Sequence, residues 1–315
     1  MLLILTSNRD FAADFLIVEL IRRNLPYFRL NTEEIAKADF HFSVGNSIRR
    51  EIHLGPKQLD LDAVTAVWYR RALHPNPAIG LSQAESIFVT GELRQLAMGI
   101  VLNPNIIWVN PIDKVSVAEH KLYQLQVARQ LGFRVPRTLV SRNQQELRRF
   151  VTDNKAGTIC KPIFHGMFVD ANSAYSVYTR RVAPDSLDTD CLELCPVYLQ
   201  EEVPRRADVR ATFIGERCFA ADITADAPIV DWRDPEVAVT YSASMLDKDT
   251  ETKCKVMLKK LGLFYGAFDF VRTPEGNLVF LEINPTGEWA WLEERLGFPM
   301  REAFIELFYG SINES

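Results

Sequence analysis

Leu263-Phe264-Tyr265-Gly266-Ala267-Phe268-Asp269-Phe270-Val271-Arg272-Thr273-Pro274-Glu275-Gly276-Asn277-Leu278-Val279-Phe280-Leu281-Glu282-Ile283-Asn284 reads as two strands joined by a turn. Pro274-Glu275-Gly276-Asn277 carries the residue types that turns favour, and both flanks are rich in residues that suit a pleated, buried surface. If Thr273 pairs with Leu278, Asp269 falls opposite Glu282, while Phe268 faces Ile283 and Phe270 faces Leu281. Side chains directly opposite in an antiparallel pair sit about 4.5–5.5 Å apart at Cβ, and like charges there repel. Asn284, two residues beyond Glu282, shares its face. Two carboxylates and an amide oxygen make an all-oxygen set of the kind magnesium takes, with the rest of its shell left to water and phosphate. A solvated outer sheet face is the other reading of acids on a strand. The apolar runs leading into Asp269 and Glu282 favour a metal or paired role, because carboxylates embedded in such strands need compensation.

Moving outward, Lys161 stands in Thr158-Ile159-Cys160-Lys161-Pro162-Ile163, expected as an apolar strand in which an unpaired ammonium would be costly and a phosphate would relieve it. Lys121, near the start of an expected helix from Ala118 to Leu131, is either a second phosphate ligand or a solvated helix lysine. The stripe Ala118, Leu122, Leu125 and Ala128 marks the inward face of that helix, and Gly132 stops it. Val197 to Val203 is a strand whose end, Gln200-Glu201-Glu202-Val203, could offer backbone groups to a base edge or simply leave the sheet. Asp208 and Arg210, two apart on the following strand, project to one face as a salt bridge or as a ribose-plus-phosphate pair. Gly215-Glu216 fits a two-residue hairpin between Val209–Ile214 and Arg217–Ile223. A helix with Cys254, Leu258 and Leu261 on one face closes at Gly262.

Towards the N-terminus, Leu2 to Leu5, a helix with Phe11, Phe15, Val18 and Ile21 at helical spacing, and Tyr27 to Leu30 make a β-α-β opening. Asn103-Pro104-Asn105 and Asn110-Pro111 bracket the apolar Ile106 to Val109 and place a boundary near residue 112. The expected units are an N-terminal α/β domain (1–112), a central unit (113–203) and a C-terminal unit (204–315) carrying the metal site. Neither G-x-G-x-x-G nor G-x-x-x-x-G-K-[ST] occurs, so a bound nucleotide needs another device.

Among 315 residues, 41 acidic against 36 basic side chains argue against a nucleic-acid partner. Met1 to Leu5 is too short for a signal peptide or a membrane span, and five cysteines without a second pair or nearby His read as reduced thiols; the expectation is a cytoplasmic protein that binds neither membrane nor nucleic acid.

In chain order, Lys121, Lys161-Pro162, Gln200-Glu201-Glu202-Val203, Asp208-Val209-Arg210, Asp269 and Glu282-Ile283-Asn284-Pro285 resemble the ATP-grasp superfamily over roughly residues 113 to 300, with residues 1–112 as its pre-ATP-grasp domain. Arg29-Leu30-Asn31-Thr32, Val67-Trp68-Tyr69-Arg70-Arg71 and Phe280-Leu281-Glu282-Ile283-Asn284-Pro285-Thr286-Gly287-Glu288-Trp289 look like the ligases that macrocyclise graspetides, the microviridin-type ribosomal peptides. The resemblance implies an α/β and α+β ATP-grasp fold that uses ATP and Mg2+. It implies Lys121 and Lys161 on the phosphates, Gln200 to Val203 on adenine and Asp208 on ribose. Asp269, Glu282 and Asn284 would hold magnesium, and Arg210 would steady the γ-phosphate or the acceptor carboxylate. Phe164 to Ala174, where the family's glycine-rich phosphate loop belongs, contains only Gly166, a departure that leaves the covering amides unassigned.

The implied reaction activates an Asp or Glu side chain as an acyl phosphate, which a Ser/Thr hydroxyl or a Lys amine attacks to close an ω-ester or ω-amide ring. The partner is a ribosomal precursor peptide, leader and core, and a homodimer is compatible with it. Trp68, Tyr69, Arg70 and Arg71 are expected as a basic, aromatic substrate wall, with a strand of mixed burial as the alternative; the acidic stretch Asp185 to Glu193 could meet a basic leader or be solvated. Two other functions fit the same residues: a carboxylate-amine ligase adding an amino acid to a peptide or small molecule, and a non-catalytic ATP-binding regulator.

Overall fold

The computed structural model describes residues 1–70, 75, 79–103, 105–164, 167–169, 174–183, 190–226, 230–233 and 237–310, without the side chains of 167–169, 174–176, 190 and 191. The chain opens with a parallel sheet in the order Tyr27–Asn31, Leu2–Thr6, Ala66–Tyr69, Ile107–Val109. Leu2–Thr6 is buried throughout, as expected of a strand covered on both faces. An antiparallel meander, Asp39–Val44, Ile48–Leu54 and Lys57–Asp60, lies beside it.

The helix Phe11–Arg22 forms where the spacing predicts, capped by Asp10, but it buries a different face. Ala12, Ala13, Leu16 and Leu20 point inward, whereas Phe11, Val18 and Ile21 are 56%, 61% and 62% exposed. Two alanines in succession let the helix lie close against the strands, which leaves the bulky residues outside. The helix expected from Ala118 to Leu131 runs over Lys121–Gln130, with Ala118 ending a separate helix, Ile112–Ala118; Ala118 and Ala128 are buried as expected, but Gln124 and Val127 turn inward and Leu122 is 38% exposed. Gly132, at φ +79°, ends it as expected.

Beyond these helices lie a two-stranded antiparallel sheet, Met167–Val169 with Ala174–Ser176, and two larger antiparallel sheets. Of the larger two, the first runs Arg180–Arg181, Thr158–Cys160, Val197–Glu201, Thr138–Ser141; the second runs Val239–Ser244, Arg217–Ala225, Ala207–Ile214, Tyr265–Arg272, Leu278–Asn284. Ile214 pairs with Arg217 across Gly215-Glu216, as the hairpin reading requires. The helix Lys248–Leu261 backs the second sheet with Cys254, Met257, Leu258 and Leu261 and closes on left-handed Gly262.

Two buried amides lock the last hairpin into place. Asn110, at the end of the parallel sheet, donates to the carbonyls of Tyr265 and Pro285 (both 2.8 Å) and accepts from the N–H groups of Phe264 (2.8 Å) and Tyr265 (3.0 Å). Gln124 donates to the Ile283 carbonyl (2.8 Å) and accepts from the Ile283 N–H (2.9 Å), so it occupies part of the open edge of Leu278–Asn284. An edge strand with unpaired backbone groups invites unwanted pairing, and this side chain blunts it. The parallel sheet also shares one apolar core with the five-stranded sheet and with the C-terminal helix Met300–Tyr309: Leu2, Ile4 and Trp68, with Leu16 of the first helix, pack with Tyr265, Trp289, Phe304 and Phe308.

Candidate active site

The register of the last hairpin decides where its acids point. Asp269 lies directly opposite Glu282, Phe268 opposite Ile283 and Ala267 opposite Asn284. Near the turn the pairing differs from expectation: Arg272, not Thr273, pairs with Leu278, and Phe270 faces Phe280 rather than Leu281. The chain turns one residue earlier, because Gly276, at φ +91°, donates to the Thr273 carbonyl and Thr273 N–H donates to Asn277. Continued unbroken, that pairing would place Leu281 opposite Asp269 and rotate Glu282 onto the face of Phe268 and Phe280. A bulge between the Asp269 and Phe270 pairings absorbs Leu281 as an extra residue and restores the acid pair. Phe268, Phe270, Phe280 and Ile283 therefore form one apolar face, while Leu281 and Glu282, though adjacent, both line the cleft.

That cleft, about 630 Å³, lies between the two larger antiparallel sheets. Lys121, Lys161, Gln200, Glu201, Val203, Asp208, Arg210, Asp269, Glu282 and Asn284 all line it. Residues from six separate stretches of chain thus meet in one place. Lys121 Nζ lies 3.6 Å from Glu282 and 3.1 Å from the Pro162 carbonyl. Lys161 stands just past the end of Thr158–Cys160, not inside a strand, since Pro162 cannot continue the ladder. Its ammonium lies 5.2 Å from the Tyr198 ring centroid. Burial pulls the pKa of Lys161 down to about 8; Glu282 opposes that shift, while Lys121 and Arg233 add to it.

Arg210 donates to both oxygens of Asp269 (2.8 and 2.9 Å) and to the Glu288 carbonyl (3.3 Å), and its buried Nε has no partner. Gly287 permits this approach: a Cβ there would sit 2.8 Å from Arg210 Nη2 and 2.9 Å from Ala267 Cβ. Burial, reinforced by Glu282 and opposed by Arg210, raises the pKa of Asp269. Burial acts upward on Glu282 as well, but Lys161, Lys121, Arg233 and Arg210 together outweigh it and hold its carboxyl below the usual range. Asn284 Oδ1 accepts from Thr286 N–H at 3.1 Å. Asp208 and Arg210 share the cleft face, as alternation requires, yet each has its own partner: Arg205 bonds both oxygens of Asp208 at 3.1 Å. Burial pushes Asp208 up to about 6 against the pull of Arg205.

At the other end of the cleft, Gln200 donates to Thr138 Oγ1 (2.9 Å), and its buried Oε1 has no partner. Among the described residues the backbone of Val203 enters no hydrogen bond, and its side chain packs with Val271, Val279 and Leu281 as an apolar floor. Glu201 Oε2 accepts from Arg137 N–H at 3.3 Å. Glu202 turns away from the cleft, with its carboxylate on Arg181 and its N–H on Gly157.

The expected substrate wall is corrected. Trp68 is a core residue packed on Phe304 and Phe308. Arg70, 1% exposed, donates to Asp10 (2.9 Å), Glu288 (2.6 Å) and the Gly287 carbonyl (3.2 Å). It ties the parallel sheet to the cleft instead of facing solvent. Arg71, His165, Gly166 and residues 185–189 of the acidic stretch lie outside the described residues. The sequence reading assigned no role to Arg205, Asp231, Trp232, Arg233 or Glu288, all of which line the cleft. Asp231 to Arg233 sits in a connection without periodicity, so only the clustering of two charges round a tryptophan could have flagged it.

A divalent cation has a fitting donor set here. Asp269, Glu282 and Asn284 bring only oxygen, and the two acids are held opposite each other by strand pairing. Among the described residues no three His, Cys, Asp or Glu side chains gather, and no helix is long and apolar enough to cross a membrane.

The MvdD pre-ATP-grasp domain model matches residues 1–116. No curated protein matches the chain by sequence. The macrocyclase MdnC of Microcystis aeruginosa MRC, crystallised with its precursor peptide MdnA, is 31% identical over 100% of both chains, with a TM-score of 0.88. MdnB, a macrocyclase from the same organism, is 25% identical over 98% of both chains, with a TM-score of 0.81. A ligase associated with ribosomal peptides in Chryseobacterium gregarium, solved with ADP and a leader and core peptide, shares the fold at 23% identity, with 100% of this chain and 97% of that one covered and a TM-score of 0.88. With the pre-ATP-grasp domain and a full-length relative above 30% identity, this chain belongs to the ATP-grasp ligases of the graspetide macrocyclase type.

Proposed function

We propose that the protein phosphorylates Asp or Glu side chains of a ribosomal precursor peptide with ATP and closes ω-ester or ω-amide rings, working in the cytoplasm on a partner with leader and core. The observation that carries this is the facing pair Asp269 and Glu282, set among Lys121, Lys161 and Arg210 in a cleft whose far end has an apolar floor. The relatives crystallised with precursor peptides support the peptide as acceptor. In this reading residues 1–112 form the pre-ATP-grasp domain, 113–203 the central unit and 204–315 the unit with the metal site.

Adenine lies on Val203, Val271 and Leu281, with Gln200 Oε1 and the Glu201 to Val203 backbone reading its edge and Asp208 on the ribose. Lys121 and Lys161 hold the phosphates. Asp269, Glu282 and Asn284 would hold magnesium, which would supply positive charge to the triphosphate oxygens. A carboxylate cannot expel oxide at a useful rate; Arg210 orients it so that an oxygen takes the γ-phosphoryl, and phosphate then becomes the leaving group. Electrostatics and positioning supply the catalysis, without a covalent enzyme intermediate.

The test is mass spectrometry of peptides incubated with the protein, ATP and magnesium. Each ring removes one water and produces one ADP; addition of a residue would identify an intermolecular ligase, and no ADP with any carboxylate peptide would end the proposal.

A further inference from the structure

Asp10 and Arg70 lie just beyond the neighbouring parallel strands Leu2–Thr6 and Ala66–Tyr69, at the carboxyl ends where α/β sheets present their functional groups. Asp10 is fixed on three sides: it accepts from Thr6 Oγ1 (2.5 Å), from the Ala13 N–H (3.2 Å) and from Arg70 Nε (2.9 Å). The Arg70 guanidinium lies 5.3 Å from the Trp68 ring centroid and is engaged at every nitrogen, with Nη1 on the Gly287 carbonyl (3.2 Å) and Nη2 on the Glu288 carboxylate (2.6 Å). Tyr265 donates to the same Gly287 carbonyl at 2.7 Å, and Asn110 holds the Pro285 carbonyl. The segment that follows the last strand is therefore gripped from the N-terminal domain, by Asn110 and Arg70. Its other side meets the cleft: the Glu288 carbonyl accepts from Arg210 Nη2 at 3.3 Å, and Gly287 leaves no room for a Cβ against that nitrogen.

For stability alone a buried arginine is a poor filling, since apolar side chains of similar volume often stabilise as well or better than a buried ion pair. What the guanidinium adds is direction, because its donors form a rigid planar fork. We propose that Arg70, braced by Asp10, is a positioning residue for the acceptor carboxylate, acting through the Gly287–Glu288 backbone on the Arg210 guanidinium; this rests on the ligase reading given above. Arg210 has two holds, Asp269 and the Glu288 carbonyl, and the second is the one whose place Arg70 sets. Arg70 bonds none of the groups assigned to ATP or magnesium; its partners are Asp10, Gly287 and Glu288. The N-terminal domain thereby takes part in seating the acceptor while leaving the nucleotide end of the cleft alone. A shift of about 1 Å in a group that orients a reactant is enough to cost about a hundred-fold in rate, even when the change is made far from the chemistry.

Two variants separate this role from a merely structural one. Arg70→Lys keeps the charge but not the fork; Asp10→Asn keeps an oxygen for the Ala13 N–H and removes the charge that braces Arg70. The peptide side is read from steady-state ADP formation with MdnA and with a synthetic library of peptides carrying Thr, Ser or Lys together with Asp or Glu. The nucleotide side is read from ADP affinity by calorimetry. Arg70→Lys should lower kcat/KM for the peptide about ten- to a hundred-fold, and Asp10→Asn by less, while ADP affinity in both stays within about three-fold of wild type. An unchanged kcat/KM for the peptide in Arg70→Lys, a loss of ADP affinity as large as the loss in the peptide constant, or unfolding of both variants would overturn the assignment. A wild-type protein that makes no ADP with any of these peptides overturns the ligase reading itself.

Discussion

The wall of the cleft built from Ala207–Ile214, Tyr265–Arg272 and Leu278–Asn284 rests on Phe213, Phe268, Phe270, Phe280 and Ile283, packed in turn on the helix Lys248–Leu261. The facing wall, Thr158–Cys160 and Val197–Glu201, has a smaller core of Leu147, Phe150, Val151, Leu192 and Leu199. On the first wall the proposed metal ligands are two short acids and an amide whose positions follow from strand pairing, with Arg210 bonded to one of the acids. On the second, and on the adjoining helix, the proposed phosphate ligands are lysines that reach the cleft through four methylenes. Backbone geometry thus fixes where positive charge must be held, and flexible side chains meet whatever phosphate arrives.

The sharpest way to divide the walls is Glu282→Gln. Removing one acid of the pair should lower ADP formation by about a hundred- to a thousand-fold, a loss of the size seen when one charge-stabilising group is deleted. The melting temperature should fall without loss of the fold, because Lys161, Lys121, Arg233 and Arg210 lose the carboxylate they surround. A variant that kept turnover would take Glu282 out of the metal shell.

Truncating the two cores should have different functional results. Phe280→Ala, behind the bulge, is expected to cost about 3–5 kcal/mol in urea unfolding and to lose turnover with it, since the acid register depends on that face. Leu199→Ala, behind the lysine wall, should cost about 2–5 kcal/mol and mainly raise the KM for ATP. Equal effects on KM would show that the walls act as one unit.

Gly287→Ala tests the approach of Arg210. With a Cβ 2.8 Å from Nη2 and 2.9 Å from Ala267, the expected loss is about 1–3 kcal/mol, accompanied by a higher KM for the acceptor and an unchanged KM for ATP.

The smallest effect is protonic. Lys161 titrates near 8 in the free protein, and a triphosphate beside it favours the ammonium, so nucleotide affinity should fall as pH rises through 8. Binding measured calorimetrically at pH 8 in two buffers of different ionisation heat should report proton uptake, lost in Lys161→Met. The same depressed pKa disfavours folding below 8 and ceases to do so as pH rises towards the unfolded value.

Much of this was legible in the residues because two periodicities are local. The pairing of Asp269 with Glu282, the Gly215-Glu216 hairpin and the Gly262 helix stop each follow from a few neighbouring residues. The bulge was not legible: the expected turn and the observed one differ by a residue, and the extra Leu281 cancels that difference before the acids are reached. Phe11, Val18 and Ile21 misled because size was read as burial, whereas close packing on the sheet selected Ala12 and Ala13. Arg70 and Arg210 show the same limit in charge. Both are buried and paired with an Asp, but the partner of Arg70 is 60 positions away and that of Arg210 is 59.

The extra residue in the final hairpin also separates two properties that a regular strand would link. In the proposed function Leu281 would supply surface under the base and its neighbour Glu282 charge for the ion, yet shortening the strand by that leucine would leave the pairings of Phe270 with Phe280 and Asp269 with Glu282 available. The grip on the face of the base can therefore be tuned at position 281 while the acid pair stays in register, which makes this position the natural place to alter nucleotide affinity without moving the proposed ion site.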